Sequence, residues 1–179
     1  MKRIRLRFES IQQVSGSREL AVILLTDEER VHALSVVCDE PMTRQLLMRV
    51  QHPEVCRNML PEALVQFLGD PCEMMVYGIH DGQYQVVLAD RNFDRNVRIR
   101  MSDAVLLSLI SNYPLYIEQM LFLRQCVPFD EHATGIAIPI NTMDVHRLDE
   151  ALKHAIDEEN YELASVLRDE LKRRKDSKE

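Results

Sequence analysis

The 179-residue sequence contains no tryptophan, and aromatic residues of all kinds make up only 6% of it. Its core must therefore be assembled from Leu, Val, Ile and nine Met. Glycine is scarce as well, at five residues, and neither a GxGxxG nor a Walker pattern occurs, so no Gly-rich phosphate loop is on offer. The four cysteines, Cys38, Cys56, Cys72 and Cys126, are too widely spaced for a CxxC metal or redox motif and read as small buried hydrophobes. The six histidines form no HExxH and no pair four apart, which leaves no zinc signature. No Ser-His-Asp arrangement is identifiable in the sequence. No apolar run approaches the ~20 residues needed to span a bilayer. The N-terminus alternates charge and apolar residue where a secretory segment would be continuously apolar. The expectation is a cytoplasmic protein without a membrane partner.

What is present fits an ordinary globular chain: 46% hydrophobic and 28% charged residues. The net charge of −7 argues against broad, nonspecific attraction to nucleic acid. Two local basic strips stand against that background, Lys2-Arg3-Arg5-Arg7 and Arg91-Arg95-Arg98-Arg100. Their basic residues mostly recur at every second position, which places them on one face of a strand. A solvated strand face is the simpler reading of both.

Along the chain, residues 2–8, 20–25 and 31–38 read as a meander of short strands separated by Ser15-Gly16-Ser17 and by the polar turn at 26–30. Asp39-Glu40-Pro41 opens a helix with the apolar stripe Met42, Leu46, Leu47 and Val50, closed by His52-Pro53. A second helix is expected over about 58–68, with Pro61 in its first turn. Residues 72–90 carry the clearest hairpin, its strands flanking His80-Asp81-Gly82. A strand at 96–100 precedes an apolar helix opened by Ser102-Asp103, with Ser102 as its cap. Residues 114–117 suit a short edge strand, and 118–125 a further helix. The predicted class is α+β: a mixed, mostly antiparallel sheet with packed helices in residues 1–131, a linker at 132–143, and a C-terminal α-helical hairpin at 144–175.

In that tail, Leu148, Leu152, Ala155 and Ile156 form one stripe, and Tyr161, Ala164, Leu167, Arg168 and Leu171 a second, on either side of the polar break at 157–160. Two such helices make an antiparallel hairpin too small to stand without a partner. The segment LDEALKHAIDEENYELASVLRDELKRR (148–174) resembles the UVR motif of the bacterial excision-repair proteins UvrB and UvrC, on Ala155, Glu159, Tyr161, Glu162, Ala164, Leu167, Arg168 and Asp169. Ser165 stands where that motif usually has alanine. The resemblance implies protein–protein contact through Tyr161, Glu162, Ala164, Leu167, Arg168 and Asp169.

The body, over about residues 5–128, resembles the bifunctional nuclease domain. The similarity rests on Ser102-Asp103-Ala104 opening an apolar helix, on the following Tyr113-Pro114-Leu115-Tyr116-Ile117, and more weakly on residues 57–64, RNMLPEAL. Three positions depart from the family pattern: Pro61 stands for histidine, Arg98 for aspartate and Met101 for proline. The resemblance implies metal-assisted phosphodiester hydrolysis of DNA or RNA. Asp103 and Glu62 would be the catalytic carboxylates and the ligands of Mg²⁺ or Mn²⁺, and Arg98, Arg100 and Ser102 would hold nucleic acid. The capping reading of Ser102-Asp103 competes with catalysis.

Two functions remain open at this stage: a nuclease with a protein-binding tail, or a non-catalytic oligomeric adaptor that recruits a partner through the tail. A homodimer is expected in either case, since a small strand-rich body leaves sheet edges for a second copy to cover.

Overall fold

In the computed structural model, residues 2–13, 20–68, 72–90, 92–131, 145–157, 159 and 161–176 are described. The expected linker at 132–143 lies outside them. The body is built on one eight-stranded sheet: β1 (Arg3–Gln13), β2 (Leu20–Thr26), β3 (His32–Asp39), β4 (Cys72–His80), β5 (Gln83–Asp90), β6 (Asn96–Ile99), β7 (Leu115–Glu118) and β8 (Val127–Pro128). Their spatial order is β6-β5-β4-β7-β1-β2-β3-β8. Every pairing is antiparallel except β4 with β7, so the sheet is mixed and the α+β expectation holds.

The local signals behave as their chemistry requires. The β4–β5 turn is Asp81-Gly82, both at positive φ (48° and 75°), the backbone geometry that a two-residue hairpin loop needs. Between β2 and β3, the Asp27 carboxylate accepts from the Val31 amide at 2.8 Å and the His32 amide at 3.3 Å, tying down the turn. Helix α1 (Glu40–Gln51) has Asp39 as N-cap, accepting from the Met42 amide at 2.9 Å, and ends on His52. Helices α2 (Leu60–Leu68), α3 (Met101–Ile110) and α4 (Gln119–Gln125) complete the body.

Three expectations need correction. First, residues 115–118 are not an edge strand. β7 sits between β4 and β1, with Leu115 and Ile117 buried. Its shortness suggested an edge, but position in a sheet is set by which distant strands pair, and local sequence does not carry that information. Second, Ser102 is not the cap of α3. The helix begins one residue earlier, at Met101, and Arg100 occupies the cap position without a side-chain cap bond. Burial of Met101 in the core draws the first turn inward and carries Ser102 to the second helical position. Third, the buried stripe of α1 runs through Met42, Leu46 and Arg49, whereas Val50 is exposed.

One hydrophobic core joins the sheet to the helices. Leu6 of β1, Ile23 and Leu25 of β2, Leu34 and Val36 of β3, Met74 and Val76 of β4, and Ile117 of β7 meet Leu46 of α1 and Ala104 and Val105 of α3. Phe122 of α4 belongs to the same cluster, its ring edge-on to His32 with centroids 6.2 Å apart. Cys38 and Cys56 are buried free thiols, consistent with their reading as small hydrophobes, while Cys72 and Cys126 are half-buried.

Helices α5 (Val145–Asp157) and α6 (Tyr161–Asp176) pack on one another as the C-terminal hairpin. Leu148, Ala155, Ala164, Leu167 and Leu171 close its interior. Ile156, Tyr161 and Arg168, expected in the two stripes, are exposed instead. The small Ala155 and Ala164 make up part of this contact, and a small side chain lets two helix backbones approach. No described helix is long and apolar enough to cross a membrane.

Truncating the central strand should be far more damaging than truncating the edge. Ile117→Ala is expected to cost about 2–5 kcal/mol in urea unfolding, the range for large-to-small changes in a packed core. Val97→Ala, on the exposed strand β6, should stay within about 0.5 kcal/mol.

Candidate functional site

The two carboxylates singled out by sequence, Glu62 and Asp103, lie on α2 and α3, which pack against each other. Each is engaged by an arginine through a two-pronged ion pair. The Arg100 guanidinium donates from Nε to Asp103 Oδ2 at 2.7 Å and from Nη2 to Oδ1 at 3.0 Å. Arg49 donates from Nε to Glu62 Oε1 at 2.6 Å and from Nη2 to Oε2 at 3.0 Å. Both oxygens of both carboxylates are thus occupied, in the fork geometry that arginine favours.

The two pairs differ in burial, and burial decides what each is worth. The Arg49 side chain is only 3% exposed and that of Glu62 13%. Arg49 also donates to the Gln45 carbonyl at 3.0 Å and to Gln45 Oε1 at 2.8 Å, so its charge is well satisfied inside the protein. This pair ties α2 to α1. The sequence carries a sign of it in spacing and not in residue type: position 49 continues the series Met42, Leu46 by three residues, on the inward face. Arg100 and Asp103 are open to solvent, where such a pair contributes at most about 1 kcal/mol. The hydrogen bond and charge of Asp103, joined more weakly by Asp39, raise the Arg100 guanidinium pKa further above its already high value.

The charges of Asp39 and Cys38 act on Arg100 too, more weakly than that of Asp103. Asp39 is already committed to capping α1. The Cys38 thiol is pushed up chiefly by burial, only partly offset by the Thr43 hydroxyl that donates to its Sγ at 3.6 Å. A thiol held in that form is a poor nucleophile. Among the described residues, no three His, Cys, Asp or Glu side chains gather into a group that could hold a metal ion. A divalent cation at Asp103 or Glu62 would first have to displace an arginine, so the two carboxylates as arranged do not fit one.

Arg5 of one basic strip and Arg98 of the other lie on the same face of the sheet. The register places Arg98 opposite Val87, Val87 opposite Met75, Met75 opposite Tyr116, and Tyr116 opposite Arg5. One row of side chains therefore crosses five strands with an arginine at each end, on the face away from Met74, Val76 and Leu115. Arg3 stacks over the Tyr116 ring at 4.0 Å and pairs with Glu73 at 2.6 Å. Arg7 pairs with Glu28 at 3.0 Å, and Arg5 approaches the same carboxylate at 3.7 Å. Much of the β1 strip is neutralised in this way.

In the hairpin, the residues that carried the sequence resemblance divide by position. Ala164 and Leu167 face inward, and Tyr161, Arg168 and Asp169 face solvent. The side chain of Glu162 lies outside the described residues. Residues 145–176 match the family model of the UvrB/uvrC motif. The matched span coincides with α5 and α6, so the motif is the hairpin and nothing else of the chain. No curated protein matches the sequence.

Breaking the buried pair from one side strands a charge. Glu62→Gln is expected to destabilise the protein by about 3 kcal/mol in urea unfolding, whereas the double replacement Arg49→Met with Glu62→Leu should recover most of that loss.

Proposed function

We propose that this protein is an adaptor, in which the body supplies a stable and oligomeric platform and the C-terminal hairpin recruits a protein partner. The observation that carries this reading is how the hairpin divides its apolar residues. Its interior closes on itself through Leu148, Ala155, Ala164, Leu167 and Leu171, yet Val145, Ile156 and Tyr161 stay exposed. Ile156 and Tyr161 flank the turn, with Arg168 and Asp169 exposed further along α6. Exposed apolar residues with charged neighbours are what a protein-binding surface needs. The match to the UvrB/uvrC motif supports the same reading.

A cross-linking pull-down from the source cells, with wild type beside Ile156→Glu and Tyr161→Glu, tests it. Both variants should keep the helical circular dichroism of wild type and lose the specifically captured protein. An unchanged capture profile in both variants would sink the reading.

A second reading, a nuclease acting on DNA or RNA, draws support from the arginine-ended row on the sheet and from Arg98, Arg100 and Asp103 gathered where β6 runs into α3. It takes up the resemblance of the body to the bifunctional nuclease domain. Labelled single- and double-stranded DNA and RNA, incubated with Mg²⁺, Mn²⁺ or EDTA, would decide it. Because the Arg100–Asp103 pair is exposed, Asp103→Asn should shift the melting temperature only slightly, and lost activity could be ascribed to the site itself. On the adaptor reading, neither protein cleaves above background. Metal-dependent cleavage by wild type that disappears in the variant would establish the nuclease.

A further inference from the structure

Helix α2 presents to solvent a face that its own chain does not cover. Leu60, Leu64 and Phe67, spaced four and three apart, lie along one side of the helix and are all exposed, Phe67 to 89%. Val50 in the last turn of α1 and Val55 in the α1–α2 connection are exposed as well. The single charge of α2, Glu62, is turned away onto Arg49. The face thus has apolar side chains in quantity and no charge of its own helix with which to select a charged partner.

From this surface we infer that a second copy of the chain docks on α2, the two helices meeting across a two-fold axis. Two features single out this occupant. An uncharged apolar face is complementary to itself, which is the condition for an isologous contact in which the same patch serves both subunits. Leu60, Leu64 and Phe67, the stripe on α2 itself, expose on the order of 400 Å² per copy, within the range of the largest patch a monomeric protein leaves open. That amounts to about half of the roughly 800 Å² each partner contributes to a standard interface. The polar residues around the patch supply the rest. Burying Phe67 of one copy against Leu60 and Leu64 of the other removes the most water-exposed large apolar side chain described in the protein. The contact supplies the oligomeric half of the adaptor reading, and it is independent of what the hairpin binds.

Sedimentation equilibrium of the full chain over a micromolar dilution series tests the inference, with Phe67→Glu, Leu64→Glu and Tyr161→Glu measured alongside. All three replaced side chains are exposed, so circular dichroism and melting temperature should stay close to wild type. Wild type and Tyr161→Glu are expected at dimer mass. Phe67→Glu and Leu64→Glu should run as monomers or show a dissociation constant raised by about tenfold or more. A monomeric wild type, or a dimer that withstands both α2 substitutions, would overturn the proposal. So would dissociation by Tyr161→Glu alone, which would move the contact to the hairpin while leaving the exposed face of α2 unexplained. As a second readout, Leu64→Cys, the position of the stripe nearest the two-fold axis, should form an intermolecular disulfide under mild oxidation, and failure to do so would count against the two-fold geometry.

Discussion

Four residues hold the body together. β7, Leu115–Glu118, pairs in parallel with β4 on one side and antiparallel with β1 on the other, and without it the sheet would fall into two separate halves. Hydrogen bonding alone would make so short a strand a weak joint. What secures it is the alternation of its side chains: Leu115 and Ile117 enter the common core, while Tyr116 lies on the opposite face under Arg3. β1 completes the joint by serving both halves in turn. Its first residues pair with β7 and its later ones with β2, with a register shift between Phe8 and Ser10. Such a bulge lets one strand change direction without giving up either partner.

The helices over this sheet explain why the candidate carboxylates look as they do. α1 and α3 cover the apolar face, and α2 rests against α3 with a side free to solvent. The Arg49–Glu62 pair lies at the seam where α2 meets α1. Asp103 answers Arg100 in open solvent. The two acids therefore have separate physical duties, one structural and one a weak surface pair. The surface that the fold leaves unsatisfied lies elsewhere, in the apolar sides of α2 and of the hairpin.

Much of this was legible in the sequence because the signals were local. Alternation marks β1, an unbroken apolar run marks β2 and the polar turn after it marks β3; Asp81-Gly82 marks the hairpin, Asp39-Glu40-Pro41 the start of α1, and the order Tyr-Glu-x-Ala-x-x-Leu-Arg-Asp from Tyr161 the motif that the family model also finds. The misreadings were of another kind. Apolar type alone puts Val50 on the inward stripe of α1, whereas the inward position is held by Arg49, whose partner lies thirteen residues away. Residue type makes Ser102 the cap of α3, although that helix begins at the buried Met101.

The sequence by itself determined the class of fold, nearly every element and the C-terminal hairpin, because turn chemistry, capping and hydrophobic period act between residues close along the chain. Tertiary structure alone decided that residues 115–118 stand at the centre of the sheet. It alone placed Arg5 and Arg98 at the two ends of one row, engaged each candidate carboxylate with an arginine, and left α2 with an uncovered apolar face. These are consequences of pairing and burial between distant segments, and no local pattern of residues encodes them.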